Sequence, residues 1–207
     1  MIDASDFFAA VRSGSVDRVR EILAKDPALL ATRHDGATAL HYAAIANDRA
    51  MVVLLLGAGA ELNARDDTYQ MTPIGWANEE GQEGMVRFLY DRGAEVDLHQ
   101  AAAYGLLDHV RDLVRHTRRP VNSLMGGWTP LQLAALWGHP DVVELLLSRG
   151  GDPLVRDPFG RTTLEIVRAQ VRTEGASTPL VRQERRQQLV AACSAIADIL
   201  LRRSPQV

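Results

Sequence analysis

Apolar residues come in two alternating kinds of block along the chain. One is short and alanine-rich, as in TALHYAAIAN (38–47), TPIGWANEEG (72–81) and TPLQLAALWG (129–138). The other is longer and aliphatic, as in MVVLLLGAGA (51–60), MVRFLYDRGA (85–94) and VVELLLSRGG (142–151). In the last of these, Val142, Val143, Leu145, Leu146 and Leu147 make one side of a helix apolar, and Gly150-Gly151 stops it. The pattern predicts antiparallel pairs of short helices, about twelve helices in all, with little or no regular strand and an elongated shape.

The blocks repeat. GATALHYAAIANDRAMVVLLLGAGAELN (36–63), QMTPIGWANEEGQEGMVRFLYDRGAEVD (70–97) and WTPLQLAALWGHPDVVELLLSRGGDP (128–153) align without gaps at their Thr, Ala and Gly/Asn positions. Thr38 to Thr72 is 34 residues and Thr129 to Thr162 is 33. The turn after the first helix falls at Gly14, Asn47, Gly81, Gly105 and Gly138, at intervals of 33, 34, 24 and 33. Each part has a local task. Thr129 is placed to cap the first helix, Pro130 sits where the first turn has no use for an N–H, and Ala134-Ala135 let neighbouring helices approach closely. One such pair cannot bury its own apolar face, so the pairs must stack.

A period of about 33 residues carrying TALHYA and TPLQLA resembles the ankyrin family over almost the whole chain. The resemblance implies an all-α solenoid of about six helix-pair units with helical caps, in one domain over residues 1–207. The units read as 3–35, 36–68, 69–99, 100–127, 128–160 and 161–207. The fourth lacks its finger, because after Val96-Asp97 the chain runs straight into LHQAAAYGLLDHVRDLVRH. Elsewhere the finger edge is irregular: RRPVNSLMGGWTP (118–130) carries two glycines, and DDTYQMTP has one residue more than its counterpart RHDGAT. The last unit opens with RTTLEIVRAQ, is interrupted at TEGASTP, and resumes as a helix with the Arg-Gln surface RQERRQQ.

With 46% hydrophobic and 24% charged residues the chain has an ordinary globular composition. No apolar run approaches the roughly 18 to 20 residues of a membrane span, and MIDASDFFAAVRSG has acids where a secretory signal has bases, so the expected location is cytoplasmic. Lys25 is the sole lysine among many arginines, a bias that fits a GC-rich bacterial genome. The net charge of -3 hides an asymmetry. Residues 1–99 hold 16 acids and 9 bases, net -7, whereas residues 100–207 hold 10 acids and 14 bases, net +4. Acids are interspersed among those bases, which argues against nucleic acid as a partner.

Candidate chemistry is sparse. Cys193 is the one cysteine and shares a helical face with Leu189, Ile196 and Leu200, so it reads as a buried small hydrophobe. His41 holds the Thr-x-x-His position where ankyrin histidines bond neighbouring turns, and His139 holds the equally stereotyped Gly-His position, so both read as structural. His109 and His116 are seven apart, roughly 10 Å along a helix, too far to share one ion unaided. Asp66-Asp67 and Glu79-Glu80 read as solvated polar turns, and GAGAEL (57–62) as a helix stop that lacks the phosphate-loop lysine. No nucleophile with an evident base stands out, so the expectation is no catalytic residue, no metal and no cofactor.

The ankyrin resemblance implies that a protein partner docks on a concave side made from finger tips and the exposed ends of the first helices. Those positions are Tyr69, Glu79, Glu80, Tyr104, Trp128, Leu136, Trp137, Phe159 and Arg161, with Trp128, Trp137, Tyr104 and Phe159 expected to cluster. The leading expectation is a monomeric, non-catalytic protein-binding scaffold, regulatory or toxin-neutralising by analogy. The alternative is a pocket beside the fingerless fourth unit, lined by Tyr69, Glu79, Tyr104, Trp128 and Trp137, that binds a small molecule or supports catalysis.

Overall fold

The computed structural model describes residues 3–116, 121–172 and 180–203. Among them are twelve α-helices and no strand, the pairing of extended backbone being limited to isolated bridges His34–Ala37 and Met125–Trp128. The chain divides into two compact units, residues 1–95 and 96–207.

The first unit holds α1 (Ala4–Arg12), α2 (Val16–Lys25), α3 (Ala39–Ile45), α4 (Arg49–Gly57), α5 (Pro73–Glu79) and α6 (Glu83–Tyr90), with a 3₁₀ turn at Pro27–Ala31. Helices pair in chain order, and the first helix of each pair packs on the first helix of the next, α1 on α3 and α3 on α5. Alanines make this approach possible: Ala43, Ala44 and Ala77 are buried where these helices meet. Val52 and Leu55 of α4, and Met85, Val86 and Leu89 of α6, supply the aliphatic layer behind them.

The second unit repeats the arrangement with α7 (Leu98–Ala103), α8 (Leu107–His116), α9 (Pro130–Trp137), α10 (Pro140–Ser148), α11 (Thr163–Arg172) and α12 (Leu180–Arg203). Here α7, α9 and α11 form the inner row and α8, α10 and α12 the outer one. Thr129 is the expected cap: its Oγ1 accepts from the Gln132 N–H at 3.2 Å, while Gln132 Oε1 accepts from the Thr129 N–H at 2.9 Å.

Only residues 91–97 separate α6 from α7. Asp97 replaces threonine as the cap, its Oδ1 accepting from the Gln100 N–H at 2.9 Å, so α7 starts at Leu98 and the boundary expected at 100 lies inside it. Leu106 and Val110 are buried, whereas Leu113 and Val114 in the last turn of α8 are half-buried. The turn at Gly105 needs glycine for two reasons. Its φ is +68°, and a Cβ there would stand 2.6 Å from His139 Nδ1. His139 uses that space to donate from Nε2 to the Ala103 carbonyl at 3.0 Å, the structural role expected of it.

Cys193, Ile196 and Leu200 line one buried face of α12, as expected. The TEGASTP interruption lies outside the described residues, as do the side chains of RQERRQQ up to Arg186.

Candidate functional site

Two fingers in this chain are built around a buried aspartate. Asp66 is 1% exposed, which corrects the reading of Asp66-Asp67 as a solvated turn; Asp67 alone is exposed. Asp66 Oδ1 accepts from the N–H groups of Thr68 (2.9 Å) and Tyr69 (2.6 Å), and Oδ2 from the Met71 N–H (2.9 Å) and the Trp76 indole N–H (3.1 Å). Burial by itself raises the pKa of this carboxyl, but the four donors outweigh it and hold the value below the ordinary carboxylate range. The extra residue of this finger is absorbed at Gln70, which takes φ +56° and donates from its side chain to the Asp66 carbonyl at 3.0 Å.

Asp157 does the same at the last finger. Its Oδ1 accepts from the Phe159 and Arg161 N–H groups at 2.9 and 2.8 Å, and Oδ2 takes the Arg161 guanidinium. Burial is again outweighed by these donors, and the carboxyl is held low. Glu165, which accepts from the Thr162 N–H and hydroxyl, is also held low. A carboxylate raised for acid–base work is not what these environments make.

The consequence of the Asp66 anchor is a shaped surface. Tyr69 stands at the finger tip with 74% of its surface exposed. It faces a groove of about 410 Å³ whose other walls are Ile45, Met71, Trp76 and Glu79, a volume within the range of ligand pockets. Ile45 and Glu79 are equivalent positions at the ends of α3 and α5, so the groove lies where two first helices and one finger meet. Trp76 is held from inside: its ring packs edge-on against His41 (5.1 Å) and Tyr42 (5.8 Å). Tyr42 in turn contacts Phe8 at 5.7 Å and donates its hydroxyl to the His34 carbonyl at 2.9 Å.

His41 plays the structural part expected of it. Its Nδ1 accepts from the Thr38 N–H at 3.2 Å, so the proton sits on Nε2 and is donated to the Met71 carbonyl at 3.0 Å. Burial pushes the imidazole pKa down, against the opposing pull of that carbonyl and of Asp66.

Of the expected contact residues, Tyr69 and Glu79 thus meet in one groove, and Glu80 is exposed beside it as the cap of α5. Trp128 and Phe159 also meet, with ring centres 6.4 Å apart, and the Arg161 guanidinium lies 5.0 Å over the Phe159 ring. Phe159 is 74% exposed, while Tyr104, Trp128, Leu136 and Trp137 are half-buried. The groove that carries Tyr69 and Glu79 is completed by Ile45, Met71 and Trp76. Trp76 was the missed residue, although Tyr42 and Trp76 stand at the same position, four after the capping threonine. A larger furrow of about 720 Å³ runs between α2 and α4 on the other side of the unit, but aliphatic side chains and Arg20 line it, without an aromatic ring or carboxylate. Among the described residues no cluster of histidine, cysteine and carboxylates has the makings of a metal site, and no helix is long and apolar enough to cross a membrane.

Comparison with known proteins agrees with the architecture. The family model for three ankyrin repeats matches residues 7–98, and that for a single ankyrin repeat matches residues 126–158. The ankyrin repeat protein YahD of Escherichia coli strain K12 is 29% identical over 179 residues, covering 79% of this chain and 89% of YahD. Ankyrin repeat and SAM domain-containing protein 6 of Rattus norvegicus is 32% identical over 165 residues, but this chain spans only 16% of its length. The crystal structure of EF0377, an ankyrin repeat protein, superposes with a TM-score of 0.56 over 94% of this chain and 98% of that one, at 21% identity. A helix-pair solenoid with threonine caps, alanine contacts and glycine turns defines the ankyrin class. The chain belongs to the ankyrin-repeat family, whose repeats generally serve protein–protein interaction.

Proposed function

We propose that this protein is a non-catalytic scaffold of the bacterial cytoplasm that binds another protein through its concave face, formed by finger tips and first-helix ends. The observation that carries the reading is the groove of Tyr69, Trp76 and Glu79. The backbone that carries this exposed ring is held by a buried carboxylate, and the ring does not serve the core; exposed aromatics on a fixed backbone are the usual anchors of an interface. In this reading Glu80, Tyr104, Leu136, Trp137 and the Trp128–Phe159–Arg161 group supply further contacts. A regulatory or toxin-neutralising role is one use of such a scaffold, acting by occupancy of the partner. Nothing in the groove supplies a nucleophile with its base, and Asp66, Asp157 and Glu165 are held low rather than high, so a small-molecule enzyme is the weaker reading.

Photo-crosslinking inside native host cells tests the proposal. A benzoylphenylalanine replacing Tyr69 or Phe159 is expected to capture a discrete protein, whereas one replacing Val53, exposed on α4, is not. Equal capture at Val53, or none at either finger, overturns it.

A further inference from the structure

We propose that the groove between α3 and α5 takes an arginine side chain of the protein partner, an inference that rests on the protein-binding reading above. Its walls present three chemistries in one space: the aliphatic Ile45 and Met71, the rings of Tyr69 and Trp76, and the Glu79 carboxylate. An occupant that satisfies all three has an apolar stem, a flat cation that stacks on rings, and donors for a carboxylate. Arginine has these together: its methylenes pack on apolar surface, and its guanidinium stacks on aromatic faces and forks onto carboxylates. Lysine carries a more strongly hydrated point charge and gains less from the rings. An acidic side chain meets Glu79 as a like charge.

The charge around the groove points the same way. Residues 1–95 carry fifteen acids against nine bases, net -6. Arg33 and Arg65, two cations at this finger, are held in place. Arg33 donates to the carbonyls of Gly36 and Arg65 and pairs with Asp67, and Arg65 donates to the Gln70 carbonyl at 2.7 Å. A basic side chain approaching the groove is therefore drawn in by the field of the unit. Asp66 acts as a positioning residue, because one carboxylate fixes the backbone of Tyr69 and Met71 and the indole of Trp76, three of the five lining residues.

The indole N–H resonance of Trp76 in the full chain, assigned with Trp76→Phe, reports on the site. The probes are the N-acetyl, N-methylamide derivatives of arginine, lysine, norleucine and glutamate. The arginine probe is expected to shift the resonance saturably with a Kd on the order of 1 mM, and norleucine about fivefold more weakly. Glu79→Gln should reduce that preference to less than about twofold, and Tyr69→Ala should weaken arginine about fivefold, both without loss of fold because both side chains are exposed. Stronger binding of lysine, equal binding of norleucine, a response to glutamate, or no shift at tens of millimolar each overturns the arginine assignment. None of these touches the protein-binding reading, which stands or falls on the crosslinks at Tyr69 and Phe159.

Discussion

At Asp66 a single side chain serves stability and site shape together. Its carboxylate is buried among four N–H donors, so an uncharged replacement leaves donors unsatisfied inside a finger. Asp66→Ala should cost about 1 to 3 kcal/mol in urea unfolding and shift the Trp76 indole resonance, whereas Tyr69→Ala should stay within about 0.5 kcal/mol of wild type. The pH dependence has a definite sign. Because the folded-state pKa of Asp66 is depressed, its contribution is present above the unfolded value of about 3.9 and lost as pH falls through the folded one. The gap between wild type and variant should therefore narrow in acid. His41 acts at a higher pH. Its folded pKa lies below the ordinary imidazole value, so below about pH 6.5 the unfolded chain binds a proton that the folded chain resists, and stability falls by up to about 1.4 kcal/mol per pH unit until the folded pKa is reached. Gln132 holds the equivalent position in the fifth unit and donates to the Val155 carbonyl at 2.8 Å. His41→Gln should thus keep the contact and remove this component; unfolding midpoints at pH 7.5 and 5.5 that shift equally in both proteins would refute it.

At the scale of the element, each helix pair is closed by a turn whose geometry is set by its neighbour. Gly105 sits at φ +68° against the His139 ring, so Gly105→Ala combines left-handed strain of about 1 to 2 kcal/mol with a clash. Gly57, at the end of α4, has open space where a Cβ would go, and Gly57→Ala should be neutral or stabilising by up to about 1 kcal/mol. Thermal melts should separate the two, and adding His139→Ala should recover part of the Gly105→Ala loss if the ring is the obstacle. Local spacing made these turns readable from sequence, since glycine, capping threonine and alanine pair act within one repeat. The groove was not readable in the same way. Glu79 and Tyr69 were singled out, but Trp76 joins them only because Asp66 folds the finger back onto α5. The burial of Asp66, like that of Asp157, rests on N–H donors within its own finger, whose path the period does not specify. The interval of 24 is legible in the sequence, while the start of α7 at Leu98 depends on Asp97 acting as a cap.

At the largest scale, stacked helix pairs hold together only where each apolar layer is covered by the next element. In the second unit α12 packs on α9, α10 and α11 and buries Cys193, Ile196 and Leu200 along one face. Leu189 approaches Gly138 so closely that a Cβ there would stand 2.6 Å from its Cδ1, which ties α12 to the turn between α9 and α10. The sole cysteine therefore reports on the docking of this helix. Burial pushes its thiol pKa up, and a buried, protonated thiol should react with a disulfide reagent only when α12 opens. Ile196→Asp places a charge on the buried face and should make Cys193 labelling at least about tenfold faster under native conditions, with a destabilisation of about 3 kcal/mol or more. Ser194→Asp, on the exposed face of the same helix, changes charge equally and should leave both rate and melting temperature nearly unchanged. If the two variants label alike, or if wild-type Cys193 reacts as fast as the unfolded chain, α12 does not close this unit.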